Sequence, residues 1–132
     1  MQLEQQVVSL ELAKKLKELG VKQESIFVWY TNGSDAYLLY LGEDGMRPME
    51  SKTYSAYTAS ELGEMLPANI EHNDFPHSLH ITKLHGGSWS ARYLYWGFGQ
   101  EGVSVAPGWD VDENLADAMA KMLIYLLENK LV

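Results

Sequence analysis

Four histidines fall in one stretch, His72, His77, His80 and His85, with Glu71 and Asp74 close by. Imidazoles and carboxylates together are the donor set of divalent-metal sites. The spacing argues against one here. His80 and His85 differ by an odd number, so along a strand they point to opposite faces. His72 and His77 fall in an expected loop. The expectation is ordinary strand and loop histidines with no metal and no cofactor; a small metal-dependent enzyme built on this cluster is kept as an alternative.

Other patterns with chemical meaning fail on context. Gly97-Phe98-Gly99-Gln100-Glu101-Gly102 fits G-x-G-x-x-G, a motif that works where a strand precedes it and a helix follows. VSVAPG follows instead, and Glu101 would set a carboxylate beside phosphates, so a glycine-rich turn between strands is expected. Glu61 and Glu64 are three apart on a short helix, which suits capping for the first and solvation for the second. No serine stands in a nucleophile-elbow context. No catalytic residue is therefore assigned, and the chain is expected not to be an enzyme.

The aromatic residues are more informative: 4 Trp, 8 Tyr and 3 Phe, concentrated in two β-rich stretches. Along 89–96, alternation sets Trp89, Ala91, Tyr93 and Tyr95 on one face and Ser90, Arg92, Leu94 and Trp96 on the other. In IFVWYT apolar residues again occupy both faces. Helices cover one face of such a sheet; the other is covered by loops and a further helix, or is an exposed patch that binds a partner or a second copy. Trp29, Tyr40, Trp89, Tyr93 and Tyr95 are the candidate interaction surface.

The elements that carry these residues are legible from periodicity. Ser9, Glu11 and Gly20 bracket a first helix whose apolar stripe is Leu12, Ala13, Leu16 and Leu19. SIFVWYT and AYLLYLG, joined through Asn32-Gly33-Ser34-Asp35, predict a hairpin; for the same reason Asn32-Gly33-Ser34 is read as a turn and not as a glycosylation acceptor. Residues 42–52 form a loop, and TYSAY (53–57) is a further short strand. Thr58 and Glu61 make a capping box for ASELGEML, closed by Pro67. Residues 68–76 read as irregular. LHITKL and WSARYLYW form a second hairpin about His85-Gly86-Gly87-Ser88, and VSV (103–105) adds a strand. Asp110 and Asp112 are candidate caps for a last helix, Asp110 with Glu113 as a capping box, and Leu115, Met119, Met122 and Leu126 are its core-facing stripe.

These elements predict a single α+β domain over 1–132. An antiparallel sheet of about 4–6 strands, in two hairpins or meanders, packs against an N-terminal, a short middle and a long C-terminal helix. YLLYLG and YLYWG hint at a duplicated strand-strand-strand-helix unit. LAKKLKELGVKQESI resembles a helix-turn-helix, but its second helix runs into β-branched and aromatic FVWY.

Bulk composition narrows the classes. The 132 residues contain 18 acidic and 10 basic side chains, net charge −8. The excess is spread, with six basic against ten acidic residues in 1–66 and four against eight in 67–132. A negative surface repels phosphates and disfavours nucleic acid. Lys14, Lys15, Lys17 and Lys22 are interleaved with Glu11, Glu18 and Glu24, as on a solvated helix face. With no cysteine, disulfide scaffolds, thiol nucleophiles and cysteine-bound metals are excluded. MQLEQQVVSLEL lacks a basic leader and an apolar core, and MLIYLL (122–127) is far short of the roughly 20 residues of a membrane span. A cytoplasmic location without membrane contact is expected.

Three segments carry a resemblance: SLELAKKLKELGVKQESIF (9–27), AYTASELGEMLP (56–67) and NLADAMAKMLIYLLENKLV (114–132). They resemble a widespread group of small uncharacterised bacterial proteins encoded in phage or prophage regions. The resemblance implies a phage-associated cytoplasmic protein with an accessory or inhibitory role. It implies no catalytic residue, cofactor or substrate. The functional expectation is a non-enzymatic protein that binds an unidentified protein partner, or itself, through aromatic hairpin residues. An acidic protein that imitates DNA phosphates to inhibit a nucleic-acid-binding protein is the alternative.

Overall fold

In the computed structural model, which describes residues 2–42, 50–72, 74–97, 100–104 and 111–132, Ser9 heads the first helix, α1 (Leu10–Glu18). Its backbone takes the N-cap conformation, although its side chain makes no capping bond. The helix stops at Gly20, whose φ of 85° lets Val21 N–H donate back to the Leu16 carbonyl at 3.0 Å. Ala13 and Leu16 are buried, and Leu12 and Leu19 pack beside them. No second helix follows Gly20. The chain enters β1 (Phe27–Asn32), so the helix-turn-helix pattern is local helix chemistry alone.

β1 pairs antiparallel with β2 (Asp35–Tyr40) in unbroken register from Phe27–Tyr40 to Asn32–Asp35. Gly33, at φ 65°, supplies the left-handed turn position. β3 (Thr53–Ser55) pairs with the other side of β1, giving the order β2-β1-β3. It is shorter than the expected 53–57. After Ser55 the backbone finds other partners: Val8 N–H donates to the Tyr57 carbonyl, and Thr58 bridges Val7.

A second sheet runs β4 (Asn69–His72), β5 (Phe75–Lys83), β6 (Trp89–Gly97), β7 (Gln100–Ser104), with β8 (Val111–Asp112) beside the start of β6. The expected irregular stretch 68–76 is therefore corrected to a strand and the beginning of the next. Asn69, Glu71, His72 and Pro76 mask the apolar alternation there. Pro76 is tolerated because pairing of β5 with β6 begins only at Ser78. Gly97 pairs with Gln100, and a strand, not a helix, follows the glycine-rich motif. Phe98 and Gly99 lie outside the described residues, as do residues 43–49 of the expected 42–52 loop and Val105 of the expected VSV strand.

The two sheets also differ in topology. The first strand of the hairpin is central in the smaller sheet, whereas β5 and β6 belong to a meander. YLLYLG lies on an edge strand and YLYWG on a central one, so the likeness does not extend to an equivalent place in the fold.

The other helices are α2 (Ala59–Met65) and α3 (Leu115–Glu128), which pack on each other, with α3 also against β6. Thr58 and Glu61 form the predicted capping box. The cap of α3 is Asn114, whose side chain accepts from Ala116 and Asp117 N–H. Asp112 instead accepts from Asn114 N–H at 2.9 Å; Asp110 lies outside the described residues. α3 is buried beyond one stripe, Ala116 to Ala120 being buried consecutively, because α1, α2 and β6 all pack on it. Its alanines are the price of that central position. Over the described residues the chain is thus an α+β fold of three α-helices and two antiparallel sheets. Among the described residues no helix is long and apolar enough to cross a membrane.

Candidate binding groove

The capping box of α2 reaches beyond its own helix. Glu61 Oε1 accepts from Thr58 N–H at 2.9 Å and from the Ser25 hydroxyl at 2.8 Å, while Oε2 accepts from Ile26 N–H at 3.2 Å. One carboxylate therefore anchors the lead into β1 against the start of α2. On the other side, Asn114 Nδ2 donates to the Val7 carbonyl at 2.9 Å, tying the start of α3 to the N-terminal segment. The 3-10 turn Leu3–Gln5 projects beside both.

These ties leave an open groove of about 1010 Å³ between the N-terminal turn, the starts of α2 and α3, and the first residue of β6. Leu3, Ile26, Phe27, Trp89 and Leu115 supply its apolar walls. That volume is in the range of small-molecule or side-chain pockets. Lys83 Nζ lies 5.3 Å from the centre of the Trp89 ring, and Tyr40 packs on Phe27 with ring centres 5.2 Å apart.

Most polar groups in the lining are already committed within the chain. Asp112 Oδ2 pairs with Lys121 at 2.7 Å, and its Oδ1 holds Asn114 N–H. Asn114 Oδ1 occupies Ala116 N–H at 2.8 Å, so the start of α3 has its cap from within the chain. Glu61 is consumed as described. Glu113 and Ser60 are exposed at the rim. The groove thus offers apolar walls, the Ser60 hydroxyl, the Gln5 and Gln6 amides and the exposed Glu113 carboxylate.

The five aromatic residues singled out from sequence do not form one surface. Alternation along 89–96 is as expected, but the face of Trp89, Ala91 and Tyr93 turns inward onto α3. Tyr93 is fully buried and its hydroxyl donates to the Pro67 carbonyl at 2.5 Å, so it is corrected to a core residue. Trp29 is half-buried in the other sheet, its indole N–H donating to the Val8 carbonyl at 2.8 Å. Tyr95 is half-buried against Phe75 and His77. Trp89 lines the groove, and Tyr40, 68% exposed, is outside the lining and packs on Phe27.

The histidines separate. His72 and His77 meet edge to face, ring centres 5.6 Å apart, and His77 Nδ1 lies 2.9 Å from the Phe75 carbonyl. His80 projects from the opposite face of β5, its Nε2 3.1 Å from Ser78 Oγ. His85 is in the exposed turn after β5. Among the described residues no three histidine or carboxylate side chains converge. The carboxylates of Glu61, Asp112 and Asp117 face internal partners, which removes them from any phosphate-like array.

Sequence patterns missed Leu3, Ile26 and Phe27 as groove residues. The capping box located the start of α2, but nothing local indicates that five chain segments meet there. Comparison with protein-family models, curated proteins and solved structures finds no match to this chain.

Proposed function

We propose that this chain is a non-enzymatic binding protein that holds a protein partner in the groove between its N-terminal turn, α2, α3 and β6. The observation that carries this reading is the state of the lining. Apolar walls stand open while the Glu61 and Asp112 carboxylates and the Asn114 side chain are bound to the chain itself. Such a surface gains by covering apolar area. Glu113 at the rim and a net charge of −8 favour a partner segment that carries an apolar side chain beside lysine or arginine. The likeness to phage- and prophage-associated proteins supports an accessory or inhibitory role in the cytoplasm.

Ser60 is exposed and lines the groove, so Ser60→Trp fills it without entering the core. Wild-type protein immobilised in an extract of its own host should retain a partner that Ser60→Trp loses and Glu128→Trp, exposed at the opposite end of α3 from the groove, keeps. Equal retention by all three proteins would place binding elsewhere. No retention by any of them would remove the support for a protein-binding role.

A further inference from the structure

Every sheet ends in strand edges whose free N–H and C=O groups can pair with another chain, and folds defend them. The larger sheet is defended. β4 is four residues long and carries Glu71, while β7 joins β6 through a shift in register. β3 is three residues long and α1 packs on it. β2 has none of these devices. It is six residues of uninterrupted register with no proline, no lysine and one charge, Asp35, at its beginning. Among the described residues nothing pairs with its outer edge.

The phase of that edge is fixed by one bond. Leu41 N–H donates to the Ile26 carbonyl at 2.7 Å. In an antiparallel ladder, hydrogen-bonded pairs alternate with non-bonded ones. Leu39 and Tyr37 therefore bond to β1, and Ala36, Leu38 and Tyr40 turn their N–H and C=O groups outward. Tyr40 is 68% and Tyr37 51% exposed on this same strand.

We propose that two copies of this chain associate through β2, antiparallel about a twofold axis at Leu38, joining two three-stranded sheets into one of six strands. The outward groups select this register. Leu38 exchanges bonds with Leu38 of the second copy, and Ala36 with Tyr40 on either side, which sets a large side chain against a small one. On the opposite face Tyr37 meets Leu39. Charge permits a self-partner at this strand, whose one charged residue, Asp35, lies at its beginning. The two acidic copies meet where each is uncharged, and the two Asp35 carboxylates end roughly 20 Å apart, beyond a Debye length. The association is independent of the groove.

Sedimentation velocity over a concentration series tests it. The wild type should pass from monomer to dimer as concentration rises. Ala36→Pro removes only an outward N–H, and Leu38→Lys places two cations face to face at the axis. Each should weaken the dimer roughly tenfold or more while leaving circular dichroism and melting unchanged. Ala36 is exposed, so its variant keeps the test open if Leu38→Lys fails to fold. Ser60→Trp should dimerise like the wild type, which separates this interface from the groove. Amide exchange at Ala36, Leu38 and Tyr40 should slow with concentration. A wild type that is monomeric throughout, or a dimer that survives both edge variants, overturns the proposal.

Discussion

The backbone N–H of Ser9 donates to the Asp117 carboxylate at 2.7 Å across 108 positions of sequence. That bond, with Asn114 on the Val7 carbonyl, fastens the segment before α1 to the first turn of α3. It requires a carboxylate that is almost fully buried at the N-terminal end of a helix, where the helix dipole favours its charge.

Burial outweighs that help. Desolvation raises the Asp117 pKa above its ordinary 3.8, and Asp112 nearby raises it further, against lowering by Ser9 and Lys121. A raised folded-state pKa means the folded chain binds the proton more tightly than the unfolded chain. The resulting stabilisation is complete below 3.8 and is lost as pH rises through the folded value. Asp117→Asn lacks this titration. In urea denaturation, the stability of the wild type relative to Asp117→Asn should therefore fall as pH is raised from 3.8 toward neutrality. Parallel stability curves for the two proteins would show that the carboxylate does not titrate in this window.

Glu61 holds three groups from two elements, so its removal should be felt beyond α2. Glu61→Ala is expected to cost about 2–3 kcal/mol, since it takes the acceptor from Ile26 N–H and leaves the Ser25 hydroxyl the Ala56 carbonyl in place of the carboxylate. Glu61→Gln keeps one acceptor oxygen and should cost less than half as much. Denaturant midpoints at constant m-value check both. Equal losses would mean that charge, not hydrogen bonding, is what Glu61 contributes.

How far such ties can be read in advance depends on sequence distance. Thr58 and Glu61 are three residues apart, and their capping box is visible as a pattern. The α1 and α3 stripes are visible because their period is that of a helix. Ser25–Glu61 and Ser9–Asp117 leave no local trace, because either partner alone is an ordinary polar residue. Tyr93 shows the same limit from another side. Alternation gives its face correctly, but which face α3 covers is decided by packing of the whole chain. The groove, framed by such long-range ties, is invisible in the sequence for that reason, whereas Trp89 in its lining stands out by type.

Tyr93 makes this packing measurable. Burial pushes its phenol from 10.0 up to about 12. The folded state thus resists ionisation, and the stabilisation is present below 10.0 and lost between there and about 12. Spectrophotometric titration of tyrosinate should show one late-titrating phenol in the wild type that is missing in Tyr93→Phe. The variant should lose about 1 kcal/mol at neutral pH, through the bond to the Pro67 carbonyl, and lose less stability than the wild type at alkaline pH. Tyr93→Ala, which opens a cavity against α3, should cost about 3–5 kcal/mol.

The two longer helices end by the same hydrogen-bond geometry but with different residues in the left-handed position. After α1 that residue is Gly20, at φ 85°; after α3 it is Lys130, at φ 54°, with Leu131 N–H returning to the Leu126 carbonyl at 2.9 Å. A side chain in this conformation carries a penalty of about 1 kcal/mol that glycine avoids. Lys130 is exposed and makes no ion pair among the described residues, so nothing else is lost with it. Lys130→Gly should therefore stabilise the chain by about 0.5–1 kcal/mol, and Gly20→Ala should destabilise it by a similar amount. Thermal melts of the two single variants and the double variant check this. Because the sites lie at separate helix ends, the double variant should melt close to the wild type; a loss in Lys130→Gly would mean that its side chain supports the end of α3 in a way its exposure does not show.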